Sequence, residues 1–583
     1  METKSCQNCH INFVIEPEDF RFYEKMQVPP PTFCPECRMI RRLAFRNQKN
    51  LFIRKDDASG KDIFSGIPQS APIKVYDLEY WNSDNWDPME FGKDYDFSRP
   101  FFEQFRELMQ SVPWPSKSVQ FMVNSDYCDQ AGYMKNCYLC FDADHNEDCA
   151  YCVRFHYTKN SFDISESVGN ELCYDSFSIN KCYKTFFSIH CENCIDVWFS
   201  KDLTGCNNCF GCVGLRNKSF YIFNKPYSKE EYFKKLEEFD LKSRDSLEKY
   251  LEKAQEFWTK SPNKYMHGSH NNDVSGDYIF NSRNSWNSYD INGAENVKHS
   301  LTLMFEAKDS YDYSIWGTKS SRMYECVTCG DQDYNLRFCW ECWPGCRDLE
   351  YSMECRSSSD LFGCIGLKKK SYCILNKQYS KEDYFALRKK IILQMNEIPF
   401  MDKRGHTYKY GEFFPTEFSP FGYNHTGSYD FFPISKEEAL KQGYAWQDPE
   451  VKEYKITLDA KSLPNTIDKA EDSILKEIIK CVECGKAYRI ISMELDFLRK
   501  MNLSLPVRCQ NCRYKTRIKF RNQPKLYARS CQCAGKKSEN GVYPNVAGHK
   551  HGAGHCPNEF ETSYSPERPD IVYCEDCYLQ EVV

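Results

Sequence analysis

Through the middle of the chain, short runs of small or apolar side chains alternate with polar ones, as in Asn136-Cys-Tyr-Leu-Cys-Phe141, Asp148-Cys-Ala-Tyr-Cys-Val153 and His190-Cys-Glu-Asn-Cys-Ile195. Asn, Asp, Ser and Gly punctuate them, which predicts short strands joined by tight turns. Cys152, Cys173 and Cys194 stand 21 apart, as do Cys140, Ser161 and Cys182, and also Cys191 and Cys212. Twenty-one residues suit one coil of a parallel β-helix, whose apolar face is buried only against neighbouring coils. In stacked coils reduced cysteine packs as a compact hydrophobe. Zinc knuckles between coils are the rival reading, drawing on Cys206, Cys209 and Cys212 or on Cys326, Cys329, Cys339 and Cys342.

This middle is doubled. Residues 194–233 align without a gap to 346–385, and nineteen of the forty pairs are identical, including Phe210-Gly211-Cys212 with Phe362-Gly363-Cys364. Each unit ends in a capping signature, Ser228-x-x-Glu231 and Ser380-x-x-Asp383, followed by aromatic residues at helical spacing. Helices there cap the end coils, whose backbone is otherwise unpaired. The charged stretch 234–262 predicts a projecting amphipathic helix.

The ends of the chain are copies too. Cys6, Cys9, Cys34 and Cys37 recur as Cys481, Cys484, Cys509 and Cys512, each displaced by 475, and Arg46-Asn47-Gln48 returns as Arg521-Asn522-Gln523. Two CxxC knuckles make the all-sulfur tetrahedral site that Zn2+ favours, and four cysteine ligands leave no open position for catalysis. Glu16-Pro17-Glu18-Asp19 predicts a short helix between the knuckles. A second C-terminal site draws on Cys531, Cys533, Cys556, Cys574 and Cys577, five thiols for four places. Cys574 and Cys577 are its firm half, Cys556 a third ligand, and the fourth is Cys531 or Cys533, with His549, His551 or His555 as the minority choice. In the N-terminal copy Asp77 and Tyr80 stand where Cys574 and Cys577 stand, and Asp56 to Lys61 faces Cys531 to Lys536. That pattern predicts a ribbon that outlived its metal, packed by Tyr76, Tyr80 and Trp81.

Composition sharpens the picture. The 583 residues hold 33 cysteines and 15% aromatics, with a mean hydropathy of -0.68 and a formal net charge of -6. An odd cysteine count, and no apolar core before Cys6, argue against secretory disulfides and for a reducing cytoplasm. No apolar run approaches the roughly 20 residues of a membrane span. Residues 38–55 carry seven Lys or Arg and no acid, and residues 508–529 carry eight and none, so the rest of the chain is acidic. Arg38, Arg41, Arg42, Arg46, Arg513, Arg517, Lys519 and Arg521, interleaved with aromatic rings, form candidate RNA- or DNA-binding poles. Their other reading is that arginine stems cover the metal sites and offset the charge of four thiolates. No phosphate loop, HExxH or nucleophile elbow is present, so no catalytic residue and no small-molecule substrate is inferred. Asp142, Asp144 and Glu147 beside His145 resemble the carboxylate clusters of β-helix polysaccharide enzymes, and turn composition explains them as well.

Taken together, CxxC, FxIxPEDFxFYEKM, PPPxxCPECR, RRLAFRN and CPNEFETSYSPERPDIVYCEDCY resemble a group of zinc-ribbon proteins of small-genome bacteria, over Cys6 to Phe105 and Cys481 to Tyr578. The resemblance implies cytoplasmic zinc binding and names no activity. The middle is loosely similar to β-helix modules of the tubulin-cofactor-C type. The expected fold is mainly β, with zinc ribbons at both ends of a duplicated right-handed β-solenoid with capping helices. Its parts are a ribbon (1–55), a degenerate second ribbon and linker (56–118), two solenoid units (119–262 and 263–398), a connector (399–475), a ribbon (476–528) and a second zinc-binding ribbon (529–583). The expected role is a non-catalytic scaffold that binds nucleic acid through its ribbons, or else a protein-assembly platform using its aromatic faces. A carbohydrate-active or nuclease enzyme is the remote alternative.

Overall fold

The computed structural model of the chain describes residues 1–448 and 454–582. It is mainly β, and its largest parts are an 11-stranded and a 12-stranded sheet in which strands follow one another in chain order. In the first sheet the parallel register advances by 12 residues: Val119 pairs with Ala131, Ala131 with Ala143, Ala143 with Phe155, and Phe155 with Ser167. The second sheet advances by 13 from Glu295 to Lys308, Ser321, Tyr334 and Arg347, and returns to 12 at Ser359. The 21-residue cysteine spacing is therefore not the strand spacing.

Three divides both 12 and 21, and three is the period that places side chains. Cys137, Cys140, Ala143, Asn146, Cys149 and Cys152 are all buried inside the first sheet's turns. The residue before each of them (Asn136, Leu139, Asp142, His145, Asp148, Tyr151) takes a left-handed φ of 50° to 60°. Left-handed backbone costs a non-glycine residue about 1–2 kcal/mol. Cross-strand ladders at these corners offset part of it: Asn124 Nδ2 donates to Asn136 Oδ1 at 3.1 Å, and Asn136 Nδ2 to Asp148 Oδ1 at 2.9 Å. Cysteine suits the inward position because its thiol is small and finds carbonyls. Cys140 Sγ lies 3.6 Å from Tyr138 O and 3.5 Å from Cys149 O.

Ser228 and Ser380 accept the amides of Glu231 and Asp383 and start the helices Lys229–Glu238 and Lys381–Glu397. The stretch 234–262 does not project. Its helix Arg244–Thr259 buries Leu247, Ala254 and Trp258 in one apolar cluster with Ala460, Leu463 and Ile467.

The ends attach crosswise. The N-terminal helix Pro35–Leu43 packs on strands Lys308–Trp316 and Ser321–Cys329 of the second sheet, and the C-terminal helix Gln510–Ile518 packs on strands Phe162–Val168 and Tyr174–Phe177 of the first. Val75–Tyr76 pairs with Trp114–Pro115 at the entry to the first sheet, and Val572–Tyr573 pairs with Asn263–Lys264 at the entry to the second. Each sheet is thus held by segments from both ends of the chain.

Candidate metal centres

The local sequence builds each cysteine quartet from a knuckle and a helix start. Cys34 and Cys509 are the N-caps of Pro35–Leu43 and Gln510–Ile518, so Cys37 and Cys512 fall in first turns, where neighbouring cysteines push the Cys37 thiol up, and burial that of Cys512, in the absence of a metal ion. Cys34 N donates to Cys6 Sγ at 3.2 Å and Cys509 N to Cys481 Sγ at 3.3 Å. Burial pushes the Cys481 thiol up, but the amides of Cys484 and Cys509 outweigh it and bring the group down to about 7.

Sulfurs bound about 2.3 Å from one zinc at tetrahedral angles lie about 3.8 Å apart. Cys9 and Cys34 are 3.7 Å apart, Cys484 and Cys509 3.7 Å, Cys481 and Cys512 3.9 Å, and Cys556 and Cys574 3.9 Å. These separations are well beyond the roughly 2 Å of a disulfide and match the edges of a metal tetrahedron. Three quartets, Cys6-Cys9-Cys34-Cys37, Cys481-Cys484-Cys509-Cys512 and Cys531-Cys556-Cys574-Cys577, each bring four sulfurs within 4.8 Å of one another and can hold a metal ion. Of the competing pair, Cys531 falls in the quartet, where it accepts Cys574 N at 3.2 Å. Cys533 lies instead with His549, His551 and Cys577. His555 is turned away, its Nδ1 2.9 Å from Cys556 O.

In the N-terminal copy of this second site Asp56 does the work of Cys531. Asp56 Oδ1 accepts Asp77 N at 3.1 Å and Ala58 N at 3.2 Å, and Oδ2 accepts Ser59 N at 2.9 Å. The carboxylate thus ties the turn to the Asp77 segment, while Tyr76 packs edge-on against Tyr80 at 5.2 Å and Trp81 is fully buried.

The arginines expected to form nucleic-acid-binding poles point inward. Arg38, Arg41, Arg42, Arg46, Arg513 and Arg517 are buried, and their guanidiniums meet carboxylates of the sheets. Arg38 pairs with Asp312 at 2.8 Å, Arg41 with Glu325 at 2.7 Å and Glu412 at 3.0 Å, and Arg46 with Asp142 at 3.2 Å. Arg513 pairs with Asp163 at 2.9 Å and Glu494 at 3.0 Å, and Arg521 with Glu166. A buried, paired guanidinium cannot reach a phosphate; of the eight residues only Lys519 is exposed. The forked geometry of arginine explains its use here, since each fork joins two acceptors.

The rival zinc reading of the inner cysteines finds different surroundings. Cys326 Sγ lies 3.4 Å from both Tyr324 O and Leu336 O, and Cys206 Sγ 3.5 Å from Thr204 O and 3.3 Å from Leu215 O. Carbonyl neighbours accept from a thiol; at Cys326 burial raises the thiol, and hydrogen bonds from Cys329 and Cys339 outweigh it and hold the group well below its ordinary range. The Asp142 cluster disperses: Asp142 binds Arg46 and Arg154, Glu147 binds Lys135 and Lys159, and His145 stacks between Tyr133 and Tyr157. One group escaped the sequence reading. His190 and Asp202, one 12-residue register step apart, meet His267 from the start of the second sheet and line a cavity of about 150 Å³ with Tyr278 and Tyr564. His190 Nε2 is 3.0 Å from Tyr278 OH, and His267 binds Asp277 at 3.0 Å and Tyr564 OH at 3.2 Å, while His190 Nδ1, 3.4 Å from Asp202 Oδ1, is buried without a hydrogen bond.

No family model matches the chain, and no curated protein matches it. One solved structure, "putative acetyltransferase from Desulfovibrio desulfuricans G20", is 9% identical over 48% of this chain and 84% of that one, with a TM-score of 0.11, and carries no argument. The resemblance to zinc-ribbon proteins rests on the sequence motifs, and the cysteine groups near both ends could hold zinc. Among the described residues no helix is long and apolar enough to cross a membrane.

Proposed function

We propose that the chain is a non-catalytic, zinc-stapled scaffold for protein assembly. In this reading zinc fills the cysteine quartets, because an all-sulfur tetrahedral site suits it best. The two sheets are faces of β-solenoids with coils of 12 or 13 residues. Such an advance leaves no chain for the returning helix that parallel pairing otherwise needs. Further parallel bridges, Tyr138 with Ala150 and Glu147 with Lys159, support the same reading. The right hand follows the general rule for parallel crossovers.

The observation that carries the proposal is the inward direction of the ribbon arginines. Phosphate binding draws its affinity from accessible cations, and here the guanidiniums clamp each ribbon onto a sheet. The surface left to a partner is aromatic. Phe121, Tyr133, His145 and Tyr157 are exposed and stack in one ladder, with ring centroids 4.7, 4.4 and 4.9 Å apart. Rigid stacked rings supply contact area at little entropic cost, which is how protein hot spots are built.

The test uses the metal-loaded, full-length chain in two arms. Titration with single-stranded RNA and with duplex DNA is expected to give weak binding without a steep salt dependence. A photo-crosslinking residue in place of Tyr133 is expected to capture one protein at fixed stoichiometry, and Phe121→Ala with Tyr157→Ala to abolish that capture. Tight, steeply salt-dependent binding that Lys519→Glu weakens would overturn the scaffold in favour of nucleic acid.

A further inference from the structure

The C-terminal ribbon holds more ligands than one tetrahedral site can use. Cys531, Cys556, Cys574 and Cys577 form one group, and Cys533, His549, His551 and Cys577 form another, each with its ligand atoms within 4.8 Å of one another. Cys577 belongs to both. Five thiolates and two imidazoles are seven ligands, and two tetrahedral ions have eight places. The two counts agree when one thiolate serves twice.

The second group has the features of a built site. Cys533 Sγ stands 3.3 Å from His549 Nδ1. A sulfur about 2.3 Å and a nitrogen about 2.0–2.1 Å from one zinc lie about 3.6 Å apart at the tetrahedral angle. The other nitrogen of His549, Nε2, is 2.7 Å from Glu581 Oε1, and both side chains are fully buried. A carboxylate on the far nitrogen fixes the tautomer and orients the ring, as it does for metal-bound histidines generally. Glu581 lies one turn after Cys577 on the helix Glu575–Val582, so one helix face supplies a sulfur and the support for an imidazole. Asn545 Nδ2 donates to Cys533 Sγ at 3.2 Å, and Tyr573 OH holds Asn545 through its Oδ1 at 2.8 Å.

His551 points most directly to a ligand. Both of its ring nitrogens are buried, and neither has a hydrogen-bond partner. Leaving a buried polar atom unsatisfied costs about 1–3 kcal/mol, and among the described residues His551 alone has both imidazole nitrogens in that state, beside two thiols and a second imidazole that can share a metal ion with it.

We infer that the C-terminal ribbon is a binuclear centre in which Cys577 bridges two divalent ions of zinc type, one held by Cys531, Cys556 and Cys574 and the other by Cys533, His549 and His551. With five thiolates against two divalent ions the centre carries a formal charge of -1, less than the -2 of an isolated four-thiolate site. The bridge also explains why Cys533 is present beside a complete quartet. This inference rests on reading that quartet as a metal site.

The experiment counts metal in the full-length chain after saturation with Zn2+ and removal of the excess. Four ions per chain are expected, three in His551→Ala and in Cys533→Ser, and two in Cys577→Ala. The 113Cd-substituted wild type is expected to show two C-terminal resonances of all-sulfur and mixed sulfur–nitrogen character, each split by the other through the shared sulfur. That measurement needs no variant and decides the matter even where a variant misfolds. Three ions in both wild type and His551→Ala, with no cadmium–cadmium splitting, would overturn the bridge and leave the three quartets standing. Absence of metal from the quartets would overturn both readings.

Discussion

Arg42 and Asp312 lie 270 residues apart and meet at 3.0 Å with both side chains fully buried. The same contact recurs at the other end of the chain, where Arg517 meets Asp163 at 2.9 Å. The likeness extends to the neighbours. Arg42 also reaches His299 O at 3.2 Å and Ser314 Oγ at 3.3 Å, and Arg517 reaches Tyr151 O at 3.4 Å and Ser165 Oγ at 3.4 Å. Two copies of a ribbon therefore dock on two related sheets through one recognition pattern, each on the sheet farther from it in sequence.

Replacing one partner of such a pair strands the other without water. Asp312→Asn leaves Arg38 and Arg42 with Glu325 alone, which Arg41 also claims, and a loss of about 3–5 kcal/mol in urea unfolding is expected. The double change Arg42→Met with Asp312→Leu is expected to recover part of that loss, because it removes the charges together. Trypsin adds a local readout, since cleavage after Arg41 or Arg42 becomes fast only when the ribbon lifts. An Asp312→Asn chain as stable as the wild type would mean that these arginines are neutralised elsewhere.

The same division of labour predicts the outcome of metal removal. If metal fills the quartets, a strong chelator is expected to open the knuckles at Cys6-Cys9 and Cys481-Cys484, because four sulfurs within 4.8 Å of one another are a ligand set that a metal ion would hold together. Proteolysis should then trim 1–55 and 476–583 while 119–398, hydrogen-bonded strand to strand, persists as a resistant body read by mass spectrometry. Loss of that body at the same chelator concentration would show that the metals hold the whole molecule.

Both quartets displaced by 475 were legible because CxxC spacing is a chemical requirement and survives divergence. The parallel strands were legible as a kind of pattern but not in their period. Cys152, Cys173 and Cys194 sit seven three-residue steps apart, so 21 is a multiple of the true step of three but of neither 12 nor 13. The clearer signal was the left-handed corner, where Asn124, Asn136 and Asp148 recur every 12 residues. The arginines misled for a physical reason. Whether a basic run meets a phosphate or a buried carboxylate depends on Asp312, Glu325 and Asp163, which lie hundreds of residues away and carry no local mark. His551 was legible only as part of a histidine-rich loop, since its burial beside Cys577 is a property of the fold.

The inner thiols provide a test of the three-residue packing. Every cysteine from Cys128 to Cys373 is buried, which shields it from reagents whatever its protonation; burial pushes the thiols of Cys173 and Cys373 up to about 12, while hydrogen bonds from Cys140 and Cys149 bring Cys137 down to about 4. A metal-loaded chain is expected to show almost no reaction with thiol reagents between Cys128 and Cys373 until it is unfolded. Cys140→Ser is expected to change stability by less than about 1 kcal/mol, because a hydroxyl can use the same carbonyls. Cys140→Leu overfills the space and is expected to lose about 1–3 kcal/mol. Rapid labelling of the native chain would contradict this packing.

His299 gives the fold a pH dependence of known sign. It is buried beneath the N-terminal ribbon, and burial lowers its pKa from 6.5 to about 3 against the pull of Asp312, with Arg38, Lys298 and Arg42 adding to the burial. Above about pH 6.5 neither the folded nor the unfolded chain protonates this ring, and it contributes no slope. As the pH falls below 6.5 the unfolded chain takes up the proton and the folded chain does not, so stability is lost progressively down to about pH 3. His299→Gln removes that proton uptake. Between pH 7 and pH 5 the variant should therefore lose less stability than the wild type, by up to about 2 kcal/mol at 1.36 kcal/mol per unit below 6.5. Urea midpoints of the two metal-loaded proteins at each pH measure the difference. Parallel pH profiles would mean that His299 is protonated in the folded chain, its charge matched by Asp312, and that the ribbon above it is more open to water than the packing of Arg38 and Arg42 allows.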